Sequence, residues 1–178
     1  MNHNLLLFFL FLGVYSCNPK DPTEPNSRPF DDTAYRPIYI SEKQLAEIES
    51  LPPQSLKKAG KIYIKGGYLF INDLGRGIHI VDNQDPKKPK RISFLKILGN
   101  YDIAVKDNWL YADNATDLVV FDISIPTAPK FVERVANAIP LNNYPPYQRI
   151  YFDCVDNSKG IVIGWEKYTT SLRPKCYR

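Results

Sequence analysis

Two stretches of this chain repeat one another in register, and that repetition constrains the fold more than any other feature. Residues 65–70, KGGYLF, align with 106–111, KDNWLY, at a shift of 41, and residues 80–90, IVDNQDPKKPK, align with 120–130, VFDISIPTAPK, at a shift of 40. The first copy therefore carries one extra residue, in its turn around Leu74–Gly77. Asp82/Asp122, Pro86/Pro126, Pro89/Pro129 and Lys90/Lys130 are identical pairs. Within the first copy, Ile62-Tyr63-Ile64, Tyr68-Leu69-Phe70-Ile71 and Ile78-His79-Ile80-Val81 are short apolar runs separated by Gly-Gly and Gly-Arg-Gly turns, which is a hairpin signature. A period near 40 with about four short strands is the size of one propeller blade. The expected fold is all-β, with propeller-like four-stranded repeat units, two full and one partial, the partial one over residues 149–166.

The repeated residues have structural work to do. An Asp closing a strand can accept hydrogen bonds from the backbone of the next turn, so Asp82 and Asp122 read as turn formers rather than a catalytic pair. The two prolines fix φ and remove donors, so the chain leaves the sheet and crosses over. New strands then start at Arg91-Ile92 and Phe131-Val132. Several runs are apolar at almost every position, which predicts strands covered on both faces. The 13% aromatic content and 15 prolines agree with many short strands. One helix interrupts the pattern: Ser41-Glu42-Lys43-Gln44 has the form of a capping box, Leu45, Ile48 and Leu51 follow at helical spacing, and Pro52-Pro53 stops the segment. That predicts a short helix over about 42–50, packed as a cover against the sheets.

With those residues in place, the chain resembles a known family. Ile78-His79-Ile80-Val81-Asp82 and Leu118-Val119-Val120-Phe121-Asp122, each followed by Pro-x-x-Pro, look like the LVIVD repeat of bacterial surface and envelope proteins. The resemblance covers about residues 58–136 and implies β-propeller blades; the first copy departs from it at Asn83-Gln84, where Ile123-Ser124 is the usual form. The family's lipoproteins are also similar in having a proline-rich start and a Gly-Trp-Glu segment like Gly164-Trp165-Glu166. No catalytic residue comes with the resemblance. Members are commonly longer, and two units and a part do not close a ring, so three readings stand: a natural short stack, a domain completed by a partner, or a truncated relative, with truncation the leading expectation. Oligomeric state stays open.

The amino terminus reads as a processing segment. Residues 5–12, LLLFFLFL, form an apolar run of eight, whereas a membrane span needs about 20 and a signal-peptide core is shorter. Gly13-Val14-Tyr15-Ser16-Cys17 resembles the bacterial lipobox: Val14 and Ser16 fit, Tyr15 is bulkier than usual, and Met1-Asn2-His3-Asn4 lacks Lys or Arg. The competing reading is a buried strand ending in Cys. The expected organisation is a signal peptide over 1–16, a lipidated Cys17 and Pro-rich tether over 17–37, a capping segment over 38–60, and the β-repeat domain over 61–178. This makes Cys17 the lipidation site and gives a lipid-anchored envelope address, at the outer membrane on its periplasmic or surface face. Asp32-Thr33-Ala34 looks like an O-glycosylation acceptor, and Asn114-Ala115-Thr116 matches the N-glycosylation pattern but would not normally be used in such a protein.

Function classes narrow by elimination. A formal charge of +4 spread along the chain, with no basic helix, does not identify a nucleic-acid binder. His79, the one histidine after the signal, sits mid-strand, no His/Cys cluster has ligand spacing, and Gly75-Arg76-Gly77 precedes a strand rather than a helix, so no catalytic, metal or cofactor residue is assigned. Lys87-Lys88-Pro89-Lys90-Arg91 is a solvated crossover turn. Cys154 and Cys176, in an exported chain, are a disulfide candidate, with free thiols as the alternative. The leading functional expectation is a non-enzymatic binding or scaffold module, held at the membrane by its lipid and contacting a protein or glycan through its loops. The alternatives are a carboxylate-dependent hydrolase using Asp73, Asp113 and Asp153, which would need two carboxyl groups about 5 Å apart, and a fragment without independent function.

Overall fold

A computed structural model describes residues 30–140 and 142–178. The expected signal peptide, Cys17 and most of the Pro-rich tether lie outside the described residues. From Asp31 to Arg178 the chain forms one compact unit, built from three sheets.

The first repeat contributes β3 (Ala59–Lys65), β4 (Tyr68–Asp73), β5 (Gly77–Asp82) and β6 (Lys90–Lys96); the second contributes β7 (Ile103–Lys106), β8 (Trp109–Asn114), β9 (Asp117–Asp122) and β10 (Lys130–Val135). Each set is an antiparallel meander of neighbouring strands. The register matches between copies, Tyr68 opposite Asp82 in one and Trp109 opposite Asp122 in the other. The extra residue predicted in the first copy is found where expected: Asp73 pairs with Gly77, while Asn114 pairs with Asp117. Gly66 and Gly67 join β3 to β4 with both φ values positive, the conformation a two-residue hairpin needs and glycine supplies without strain. The repeated aspartates do turn work: Asp82 Oδ1 accepts from the Gln84 N–H, and Asp122 Oδ1 from the Ser124 N–H.

Side chains of both repeats meet in a single core. Phe70, Ile78, Ile80 and Leu95 from the first sheet pack with Leu110, Val119, Phe121 and Ile123 from the second. Strand β5 is buried on both faces, as its unbroken apolar run predicts. The same prediction fails for Ile62-Tyr63-Ile64. These sit on β3, the edge of its sheet, and are exposed, because a strand with one neighbour presents a face that nothing among the described residues covers.

Three further departures concern the capping region and the third unit. The capping box forms as read, with Ser41 Oγ accepting from the Gln44 N–H and Gln44 Oε1 accepting from the Ser41 N–H. The helix α1 nevertheless ends at Ala46 (Glu42–Ala46), short of residue 50, and Glu49–Leu51 becomes β2, an added edge on β6. Leu45 and Ile48 are still directed inward, so the stripe reported burial correctly while its geometry changed from helix to strand. Residues at the end of the proposed tether are not a spacer either: Thr33–Ile40 is strand β1. It lies inside a third sheet of order β12-β1-β11-β13, with β11 (Tyr151–Phe152), β12 (Ile161–Thr169) and β13 (Cys176–Tyr177). The unit expected to be partial thus has four strands, one supplied from the other end of the chain. Pro37 is tolerated there because β11 pairs only Ala34 and Tyr35 on that side, which leaves β1 locally an edge at Pro37.

Candidate binding cavity

Where the hairpin ends of the repeats approach the third sheet, polar side chains are buried and must be satisfied internally. Asn100, fully buried in the link between repeats, does most of this. Its Nδ2 donates to the carbonyls of Asp102 and Asp113, each at 3.0 Å, and to Asp113 Oδ1 at 2.7 Å. Its Oδ1 accepts from Asn72 Nδ2. Asn72 and Asp113 occupy equivalent places at the ends of β4 and β8, so Asn100 bolts one repeat to the next.

Asp113 stands at the head of a cavity of about 580 Å³. One carboxylate oxygen, Oδ1, takes N–H groups from Tyr101, Asp102 and Asn100. The other, Oδ2, accepts no hydrogen bond from the described residues. Burial raises the Asp113 carboxyl above the ordinary range, the neighbouring Asp102 adds to this, and the three N–H donors offset only part of it. Tyr101 lies beside it, its hydroxyl donating to the Ile163 carbonyl at 2.8 Å. Burial first, then the proximity of Asp113 and Tyr147, raises that phenol.

The opposite wall is the Val162–Trp165 stretch of β12, aligned by β1: Ile38 pairs with Gly164 and Pro37 with Trp165. Trp165 is braced edge-on by Phe152, ring centroids 5.3 Å apart. The rim is the loop before β11. Arg178 fastens it, stacking its guanidinium 3.8 Å from the Tyr144 ring centre and donating to the Pro145 carbonyl at 2.9 Å. Tyr147 stacks on Tyr35 with centroids 5.0 Å apart. Tyr101, Tyr144 and Tyr147 each remain more than a third exposed, presenting ring surface to whatever enters.

Of the residues singled out in the sequence, the Gly164-Trp165 dipeptide and Asp113 belong to this cavity. The three carboxylates considered for hydrolysis are not brought together. Asp73 is fully buried, accepting from the Lys57 and Lys58 N–H groups and from Arg76 at 2.6 Å, with His79 Nε2 at 3.2 Å. Burial opposes its ionisation, but those hydrogen bonds and the Arg76 charge hold its carboxyl below the usual range. Asp153 accepts from the Tyr168 hydroxyl and lines a separate hollow beside the disulfide. His79 is a core residue stacked on Phe94. Asn114 is buried, its amide donating to the Leu98 carbonyl, so it is no sugar acceptor. Thr33 opens β1 rather than lying in a tether. Cys154 and Cys176 are joined by a disulfide that ties the end of β11 to β13. Among the described residues no group of three His, Cys, Asp or Glu could hold a metal ion, and no helix is long and apolar enough to cross a membrane.

Sequence reading missed Tyr101, Tyr144, Tyr147 and Arg178. The segment 142–147, with Tyr144, Pro145, Pro146 and Tyr147 in six residues, carried a signal in its density of Pro and Tyr, which stiffen a loop and offer rings. Comparison with known proteins adds one finding: the LVIVD repeat family model matches residues 57–91 and 95–137. No curated protein and no solved structure matches the chain.

Proposed function

Since this chain is an LVIVD-repeat protein, we propose that it is a non-enzymatic binding module, held at a bacterial envelope by acyl chains on Cys17, with the cavity headed by Asp113 as its binding site. The observation that carries the reading is the cavity itself. Its volume lies within the roughly 300–1,000 Å³ typical of ligand sites, and its lining of rings with a few convergent polar groups is the usual chemistry of such sites. Support for a non-catalytic role comes from the carboxylates, since Asp73 and one oxygen of Asp113 serve as backbone anchors and Asp153 faces a different hollow. The LVIVD repeat family is not a known enzyme family.

The anchor and the site are tested separately. Metabolic labelling with a fatty-acid analogue on wild type and Cys17→Ala reads the anchor: label and membrane retention lost together in the variant support it, and unchanged label removes it. For the site, Gly164→Ala is informative, because a Cβ there would meet the Tyr101 hydroxyl at 2.6 Å and crowd the cavity without removing a contact group. The full chain is expected to capture material from an envelope extract that the Gly164→Ala chain, folded to the same extent, captures at least several-fold less. Equal capture by both chains would place the binding surface elsewhere.

A further inference from the structure

The geometry points to a short neutral saccharide as the ligand of this cavity, held between the rings of Tyr101, Tyr144, Tyr147 and Trp165 and hydrogen-bonded through Asp113 Oδ2 and Arg178. The inference rests on the cavity being the binding site and adds the ligand's chemistry.

Charge decides among ligand classes. Among the described residues the charged side chains of the lining are one carboxylate, Asp113, and two cations, Lys58 and Arg178. An organic cation would be drawn to Asp113 and the rings but repelled by both basic groups. An anion would meet Asp113, whose Oδ2 accepts no hydrogen bond from the described residues, in a desolvated setting. A wholly apolar ligand would bury that oxygen without a partner, an unfavourable exchange of solvent for nothing. A polyol answers all three groups at once, because each hydroxyl both donates and accepts. It can donate to Asp113 Oδ2 and accept from Arg178, whose guanidinium has five N–H donors and uses one on the Pro145 carbonyl.

Shape agrees with charge. A pyranose ring is apolar on its C–H faces and polar around its edge. It therefore needs flat apolar surface above or below and hydrogen-bonding groups at the side. Tyr144 and Tyr147 at the rim, 40% and 45% exposed, and Trp165 in the wall supply surface of that kind, stiffened by Arg178, Tyr35 and Phe152. Rings fixed in advance lose little entropy on binding.

The test uses the full chain and three sets of probes: neutral di- and trisaccharides of glucose, galactose, mannose, xylose and N-acetylglucosamine; uronic-acid oligosaccharides; and a mixed peptide library. Calorimetry and intrinsic fluorescence read binding to wild type, Tyr147→Ala and Asp113→Asn. Saturable binding of a neutral saccharide that each substitution weakens about tenfold or more supports the assignment, that being the effect of losing one charge-assisted hydrogen bond or one stacked ring. Binding confined to uronates or peptides and weakened by the same substitutions overturns the saccharide while leaving the cavity as the site. Saccharide binding indifferent to both substitutions, or silence from all three sets, overturns the cavity as well. Should a variant fail to fold, hydrogen exchange on wild type decides between these outcomes. A neutral saccharide is expected to slow exchange at residues 142–147 and 162–165, and no slowing there refutes the assignment.

Discussion

Asn100 joins the two repeats and orients Asp113, so its removal tests fold and site together. Asn100→Ala deletes three donated bonds and one accepted one. Not all the groups left behind are orphaned. Asp113 Oδ1 keeps the N–H groups of Tyr101 and Asp102, and the Asp102 carbonyl keeps the Asp113 N–H. The Asn72 amide fares worst, retaining only contacts of 3.4 Å to the Gly77 and Asn100 carbonyls. A buried group deprived of its partner costs about 1–3 kcal/mol. With one amide badly placed, one carbonyl weakened and a cavity the size of the lost carboxamide, the expected loss is about 3–4 kcal/mol, a large share of the roughly 5–15 kcal/mol that holds a domain together. Urea unfolding of the full chain, followed by circular dichroism, should show the midpoint falling with an unchanged slope. Asn100→Asp sharpens the logic. It preserves shape but sets an acceptor against Asp113 Oδ1, so it should be at least as damaging at neutral pH and recover part of the loss on acidification, as one carboxyl of the pair takes a proton. A loss under about 1 kcal/mol for Asn100→Ala, or no recovery in acid for Asn100→Asp, would refute the claim that this amide is the joint.

Further outcomes follow from the same geometry. Replacing Cys154 and Cys176 together by Ser reopens a loop with a sequence separation of 22, which in the chain-entropy model removes roughly 3 kcal/mol of stability; reductant should reproduce the shift in wild type and leave the double variant unmoved. Gly77→Ala should destabilise by several kcal/mol, on the order of 2–4, because its φ is +144° and a Cβ would lie 1.9 Å from the Leu95 carbonyl oxygen; circular dichroism melting checks it. In acid, Asp73 and Asp117 both have carboxyls held below the ordinary range, in each case because hydrogen bonds and a nearby Arg outweigh burial. Their contribution is full above about pH 4 and is lost as pH falls through their folded values. Asp113, raised by burial, works in the opposite sense, favouring the fold at low pH and weakening it as it ionises. Stability measured from about pH 6 down to about pH 2 should therefore fall more gently for Asp73→Asn than for wild type.

How much of this was legible in the sequence depended on range. Repeat length, register, the extra turn residue and the Asp-to-turn bonds are local events, set by residues within a few positions of one another, and hydrophobic period and turn chemistry report them directly. The end of α1 was not local: Glu49 leaves the helix because Lys96 and Phe94 offer β2 an edge to pair with. Strand β1 was less visible still. Its position at the end of a proline-rich stretch, with Arg36 and Pro37 inside it, suggests a spacer, and its partners in β12 and β11, more than a hundred residues away, make it a strand. The cavity inherits that blindness. Asp113 and Gly164-Trp165 stood out singly, but nothing in their spacing says that they face each other, and Tyr101 and Arg178 carry no motif at all.

The site sits where it does for a physical reason. A repeat whose strands pair with their neighbours fills its interior with Phe, Ile and Val and has no room for a ligand, so concavity has to arise where the repetition stops. Here it stops at the Asn100 link and at the hairpin ends, where Asp113 and Asn72 replace the apolar core. The third sheet does not copy the repeats, since its strands are not neighbours in the chain, and it is held by other means: β1 inserted from the far end of the chain, the Cys154–Cys176 disulfide, and Arg178 bonded to the Ile150 backbone in both directions. Two of these fastenings touch a wall of the cavity, while the disulfide borders the separate hollow that Asp153 lines. Strand β1 positions Gly164 and Trp165, and Arg178 supports Tyr144 and Pro145. The devices that let an irregular unit stand beside two regular ones, β1 and Arg178, are therefore the same ones that hold the rings of Tyr144, Tyr147 and Trp165 in place around an open volume.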